Sequence, residues 1–199
     1  MRKYWIGSGL IFLLIIIGLF SVAFARPYTL HGSLIQPAMT APDFSLTNTN
    51  GQLFQLSKQK GRLTLLFFGY TNCPDECPAT LAVMKQVFAR LGPQSNQVNF
   101  VFVTVDPQRD HPAQIQAFLA RYNPAFIGLG GSLTLLTPVW KAYGVYQELP
   151  VNSTVSQYQV AHSTQVYLID PHGQLRLTYA VDTSVDDIYQ DIQHILSGG

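Results

Sequence analysis

Two cysteines and five histidines carry most of the metal and redox chemistry open to this 199-residue chain. Cys73 and Cys77 stand four apart in Cys73-Pro74-Asp75-Glu76-Cys77-Pro78. Helical side chains at that spacing share a face, with Cβ atoms about 5–6 Å apart. The two sulfurs can therefore converge on each other or on one ion. Such a pair suits thiol–disulfide exchange, in which one thiolate attacks and the other resolves the mixed disulfide. It also suits a structural disulfide, the ordinary fate of two thiols in an oxidising compartment, although so short a loop would stabilise little. As a metal site the pair fits zinc poorly, because structural zinc almost always takes four protein ligands and no second close pair exists. Soft thiolates select Cu(I), which accepts few ligands, and one imidazole would complete a three-ligand site.

The histidines do not name themselves. His31 lies in a segment without sustained periodicity, His111 precedes a helix-starting Pro112, His172 sits in a Pro-His-Gly turn and His194 falls on a terminal helical pattern. These four read as surface residues. His162, in Val160-Ala161-His162-Ser163-Thr164, immediately precedes a strand-like run. A loop leading into a strand can bring a side chain to one edge of a sheet, where the cysteines also belong, but position alone does not single it out.

The elements that must hold these residues follow from hydrophobic patterning. Leu63 to Phe68 is a continuous apolar run between Gly61 and Gly69, the pattern of a strand buried on both faces. After the cysteine loop, Leu81, Met84, Phe88 and Leu91 recur at helical spacing, with Pro78 in the first turn and Gly92 past the end, both tolerated there. Met84 and Phe88 read as core. A loop between a buried strand and a helix is a favoured ligand position in open α/β sheets. A helix N-terminus also lowers thiol pKa values, while Asp75 and Glu76 oppose that effect and favour a cation. Val98 to Val105 predicts a second buried strand and Pro112 to Tyr122 a second helix. Leu133 to Tyr143 predicts a third helix, capped by Ser132 and disturbed by Pro138. Two strands, Gln165 to Ile169 and Gln174 to Tyr179, flank Pro171-His172-Gly173. A last helix carries Val185, Ile188, Ile192 and Ile195 behind Ser184 as N-cap. Asn48-Thr49-Asn50-Gly51, between two short alternating runs from Asp43 to Gln55, signals a β-hairpin that opens the domain. The fold class is α/β, a central mixed sheet with helices on both faces.

Arg2 and Lys3 precede an uncharged, Ile-, Leu- and Phe-rich stretch from Tyr4 to Ala25. About 20 apolar residues span a bilayer as a helix, and flanking positive charge stays cytoplasmic. Residues 1–26 thus read as an N-terminal transmembrane anchor, with a cleaved signal segment ending near Ala23-Phe24-Ala25 as the alternative. Residues 27–40 read as a linker and 41–199 as one domain outside the cytoplasm. The absence of an Arg- and Ser-rich presequence favours a bacterial plasma membrane. With apolar residues at 47%, charged residues at 12% and a formal net charge of +1, the chain can build a core but lacks the basic footprint of a nucleic-acid binder.

Three blocks carry a resemblance. Phe67-Phe68-Gly69-Tyr70-Thr71 runs into the cysteine motif; Val103-Thr104-Val105-Asp106-Pro107 follows with Arg109-Asp110; His162-Ser163 precedes Tyr167-Leu168-Ile169-Asp170-Pro171 and Gly173. In this order and spacing they resemble the Sco/SenC family, from Ala41 to Leu196. The resemblance implies a thioredoxin-like fold, an N-terminal anchor and copper, as Cu(I) and in part Cu(II), held by Cys73, Cys77 and His162. It implies a metallochaperone rather than an enzyme, serving the copper-bearing subunit of cytochrome c oxidase. Other copper chaperones and thioredoxin-like reductases would be further partners. The alternative is an extracytoplasmic thiol–disulfide oxidoreductase that uses Cys73 and Cys77 to reduce the recipient's cysteines. Ala161 and Gly130 depart from the family, which often has Asp and Thr there; loss of a carboxylate beside the histidine would alter the orientation or basicity of its imidazole. Asp106 and Asp110 read as helix caps or as residues near the site.

Overall fold

The computed structural model describes residues 28–146, the backbone of 147–148 and of 161–162, and 164–198. The predicted anchor, 1–26, lies outside these residues; among the described residues no helix is long and apolar enough to cross a membrane.

Strand β4 (Leu63–Gly69) is buried throughout, as its unbroken apolar run predicts. It pairs in parallel with β5 (Val98–Thr104), also buried along its length, and helix α1 (Glu76–Leu91) connects the two. β5 pairs in parallel with β6 (Ile127–Gly130) after helix α2 (Pro112–Ala120). On the other side of β4, the antiparallel strands β9 (Val166–Ile169) and β10 (Gln174–Tyr179) complete the centre of the sheet and lead into α4 (Val185–Leu196). The result is a mixed sheet with a βαβ unit and a ββα end. The predicted hairpin is present as β2 (Ser45–Asn48) and β3 (Leu53–Gln55), turning through Gly51 at φ 79°.

Adjacent residues of a strand point to opposite faces, and Phe67 and Phe68 separate the two layers. Phe67 stacks with Phe100 and meets Phe102 at a tilt, and these two reach Phe126 and Phe118 respectively; α1, α2 and α4 cover this face. Phe68 meets Tyr143, at the end of α3 (Leu133–Ala142), and Tyr167. Leu81, Met84, Phe88 and Leu91 are all buried.

The structure departs from the sequence reading in several places. The segment read as linker contains strand β1 (Ser33–Thr40), which pairs with β10 at the edge of the sheet. Its alternation is broken by Pro37, tolerated because the strand is an edge, and it is mostly exposed, so no buried period marked it. β6, with the sequence Ile-Gly-Leu-Gly, has a single β-branched residue and two glycines, so no strand pattern marks it in the sequence. Ser132 stands at the N-cap of α3 but makes no capping hydrogen bond, whereas Ser184 accepts from the Asp187 amide at 3.1 Å as expected. His31 is exposed, as read, yet its amide donates to the fully buried Asp191 of α4, and Tyr28 and Tyr179 donate their hydroxyls to the same carboxylate.

Candidate metal centre

β4 ends at Gly69, where the chain leaves the sheet for six residues and re-enters as α1. The Val105 amide donates to the Gly69 carbonyl at 2.8 Å, prolonging the ladder to the start of the cysteine loop. Within the loop the Cys73 amide bonds the Tyr70 carbonyl at 3.3 Å. Asp75 is the N-cap of α1, so Cys77 falls in the first turn and Cys73 just before it. The Cys77 amide points at the Cys73 sulfur, 3.4 Å away. Both residues are free cysteines, Cys73 half-buried and Cys77 fully buried. The two residues are close, as the sequence suggests, but it is the loop and not a shared helical face that places Cys73, since α1 begins only at Glu76.

The expected fall in thiol pKa is not seen at Cys77. Its hydrogen bond to the Cys73 thiol, and then its burial, push its pKa well above the usual range; a backbone hydrogen bond from Tyr70 opposes this only in part. The helix dipole acts on groups at the rim of the first turn, and Cys77 has turned into the core, where desolvation disfavours a charge. A soft cation that replaces both protons would relieve that cost.

Gly69 makes room for this sulfur. A Cβ built there would stand 2.9 Å from Cys77 Sγ, 2.9 Å from a Phe102 ring carbon and 3.0 Å from Phe67. Gly69→Ala should therefore displace Cys77 or the loop. Overpacking of a filled core costs about 1–3 kcal/mol. The check is a thermal melt together with thiol alkylation: Tm should fall and Cys77 should become more reactive. An unchanged alkylation rate would mean that the loop accommodates a methyl group.

The predicted helix-capping roles of Asp106 and Asp110 are corrected. His111 caps α2, with its amide donating to Gln114 Oε1 at 3.0 Å. Asp106 instead accepts from Arg109 Nε, and Arg109 lies over the Tyr70 ring at 5.7 Å. Asp110, 5% exposed, accepts from Thr104 Oγ1 and from Thr71 of the cysteine loop. Burial raises the Asp110 pKa against the lowering effect of these hydrogen bonds.

Strand β8 (Ala161–His162) pairs antiparallel with β7 (Gln147–Glu148), His162 opposite Gln147 and Ala161 opposite Glu148. The His162 side chain lies outside the described residues. Strand β9 begins four positions later with Val166 opposite Phe67 of β4. Because that pairing is antiparallel, the start of β9 and the end of β4 share one edge of the sheet, the edge from which the cysteine loop springs. Among the described residues no group of three or more His, Cys, Asp or Glu side chains forms a metal cage.

Comparison with known proteins agrees with this frame. The SCO1/SenC family model matches residues 33–197. An SCO2-like protein of Rickettsia conorii is 33% identical over 153 residues, covering 76% of this chain and 75% of its own. The copper-bound structure of Bradyrhizobium japonicum ScoI superposes with a TM-score of 0.72 at 31% identity, over 79% of this chain and 99% of that one. BsSco, described as a member of the Sco family of cytochrome c oxidase assembly proteins and as containing a disulfide switch, gives 0.64 at 26% identity, over 81% and 95%. A match across nearly the whole described chain, together with a dithiol at the strand-to-helix junction, makes this chain a member of the SCO1/SenC family.

Proposed function

We propose that this protein is a copper metallochaperone that binds Cu(I) through Cys73, Cys77 and His162 and delivers it to the binuclear copper site of cytochrome c oxidase. The observation that carries the reading is the pair of free cysteines at the start of α1, with the Cys77 amide 3.4 Å from the Cys73 sulfur. Two soft sulfurs within reach of one point favour Cu(I) over harder ions, and the half-buried Cys73 leaves one side open for a recipient's thiolate. The shared sheet edge at the start of β9 supports His162 as third ligand. Copper-bound ScoI supports the metal, and the description of BsSco supports the recipient. Residues 1–26 would tether the domain to the plasma membrane on its extracytoplasmic side.

A second reading is favoured by the same proximity: two free thiols, one of them facing the other residue's amide at 3.4 Å, can close a disulfide while reducing the recipient's cysteines. Anaerobic titration of the full chain in detergent with Cu(I), against a chromophoric Cu(I) chelator, separates the two. Wild type should take up one copper with sulfur-to-metal charge-transfer absorption. His162→Ala should weaken binding by at least about 10-fold, the lower range seen even for residues that only orient ligands, while its dithiol still reduces a model disulfide. Unchanged copper affinity would remove His162 from the site; failure of wild type to reduce a disulfide in a glutathione buffer would reject the second reading.

A further inference from the structure

Thr71 of the cysteine loop is held by a carboxylate that belongs to a different connection. Between Gly69 and Asp75 the loop has left the β4–β5 ladder, and its two cysteines lie at its far end. Thr71, two residues before Cys73, gives both its donors to Asp110 in the β5–α2 connection. The Thr71 amide lies 3.2 and 3.1 Å from the two carboxylate oxygens, and Thr71 Oγ1 lies 2.5 Å from Oδ1. The other side of the carboxylate is held by Thr104 Oγ1, the last residue of β5, at 2.6 Å. Thr104 Oγ1 in turn accepts the Asp106 amide at 2.9 Å. Asp110 is 5% exposed, and a buried carboxylate is tolerated only when its oxygens are satisfied by donors placed to suit them. Moving Thr71 would strip that carboxylate of donors, so the charge resists displacement of the loop.

We propose that Asp110 is a positioning residue for the dithiol: through Thr71 it holds the loop at the height above the sheet where the Cys73 sulfur meets that of Cys77. The inference rests on the proposed copper function for its first readout and is independent of it for the second. Charge-assisted hydrogen bonds are shorter and stronger than neutral ones, and residues that orient metal ligands are worth 10–100-fold in affinity. Closure of a disulfide between Cys73 and Cys77 needs the same sulfur placement as copper does, so the dithiol potential reports the same geometry without metal.

The test uses the full chain in detergent as wild type, Asp110→Ala, Asp110→Asn, Thr71→Val and the Asp110→Ala/Thr71→Val double variant. Cu(I) affinity is read by competition with bathocuproine disulfonate. The dithiol potential is read by equilibration with glutathione, in which two glutathione thiols are oxidised to their disulfide as the Cys73–Cys77 disulfide gains two electrons and two protons. Asp110→Ala should weaken Cu(I) binding about 10–100-fold and shift the glutathione equilibrium toward the dithiol. Thr71→Val should move both readouts the same way by less, and the double variant should be no worse than Asp110→Ala. Asp110→Asn, which keeps a carbonyl oxygen for the Thr71 amide, should recover most of the loss. Wild-type affinity and potential in Asp110→Ala would overturn the assignment, as would strictly additive losses in the double variant. If Asp110→Ala does not fold, Asp110→Asn and Thr71→Val decide, and wild-type values in both overturn it. If wild type itself takes up no Cu(I), the proposed function fails while the potential still supports or overturns the role of Asp110.

Discussion

Cys77→Ser is expected to cost the protein both its copper and part of its stability, while Cys73→Ser costs the copper alone. Either change removes one of two thiolates, and a hydroxyl is a poor partner for Cu(I). Affinity should fall by more than about 100-fold, because residues that merely orient ligands already reach that figure. The stabilities separate on burial. Cys73 is half-buried at the loop surface, where a hydroxyl can meet water. Cys77 is fully buried, its sulfur lying where a Cβ on Gly69 would also meet the Phe102 and Phe67 rings. A hydroxyl incompletely satisfied there costs about 1–3 kcal/mol, or roughly 2–4 °C in Tm per kcal/mol for a domain of this size. Cu(I) competition and thermal melts of the two variants in the metal-free, reduced state check this. Cys73→Ser that still binds copper at wild-type affinity would sink the two-sulfur site, and equal melting temperatures would sink the burial argument.

The larger stability effect should come from the contact between α4 and the segment that leads into the edge strand β1. Asp191, fully buried on α4, accepts from Tyr28 Oη at 2.7 Å, Tyr179 Oη at 3.2 Å, the His31 amide at 3.0 Å and the Gly32 amide at 3.1 Å. The His31 ring stands 2.8 Å from the same carboxylate through Nδ1, and the His194 ring stacks on Tyr28 with centroids 4.0 Å apart. Asp191→Ala leaves these donors without an acceptor. Breaking a buried charged interaction by removing one partner costs about 3–5 kcal/mol, which corresponds to a fall in Tm on the order of 10 °C. Hydrogen exchange should report faster exchange at the amides of His31 and Gly32.

The same cluster gives stability a pH dependence whose sign is determined. The hydrogen bond to Asp191 raises the His31 pKa above its ordinary value of 6.5. Stability from this contact is therefore complete below about 6.5 and is lost as pH rises through the raised value. For Asp191, burial opposes ionisation, but hydrogen bonds from His31 and Tyr28 and from the two amides outweigh it and lower the carboxyl pKa. Its contribution is present above the ordinary carboxylate range and is lost on acidification. Asp187 also faces the His31 ring, at 3.6 Å from Nε2. Wild type should lose Tm between neutral and mildly alkaline pH, and His31→Gln should flatten that slope; an equal slope in the variant would assign it to other groups.

Local pattern was enough to specify the parts of this protein whose neighbours in sequence are also their neighbours in space. The apolar runs of β4 and β5, the buried stripe of α1, the Ser184 cap and the turn around Gly51 follow from residue type and spacing, because a strand buried on both faces and an amphipathic helix leave their period in the chain. The cysteines were legible because they are close along the chain, although Cys73 precedes α1 and the loop that carries it decides where its sulfur lies. Folding across the chain decided the rest. β1 is an exposed edge strand with a proline, so its place follows from pairing with β10 more than 130 residues away. Asp191 sits among the apolar positions of α4, and only the arrival of Tyr28, His31 and Gly32 makes its burial tolerable. Cys77 lies in the core instead of at the helix rim, which reverses the sign of its pKa shift. Asp110 reads as a cap until the tertiary structure lays Thr71 against it, because hydrogen bonds between separate loops leave no period in a sequence.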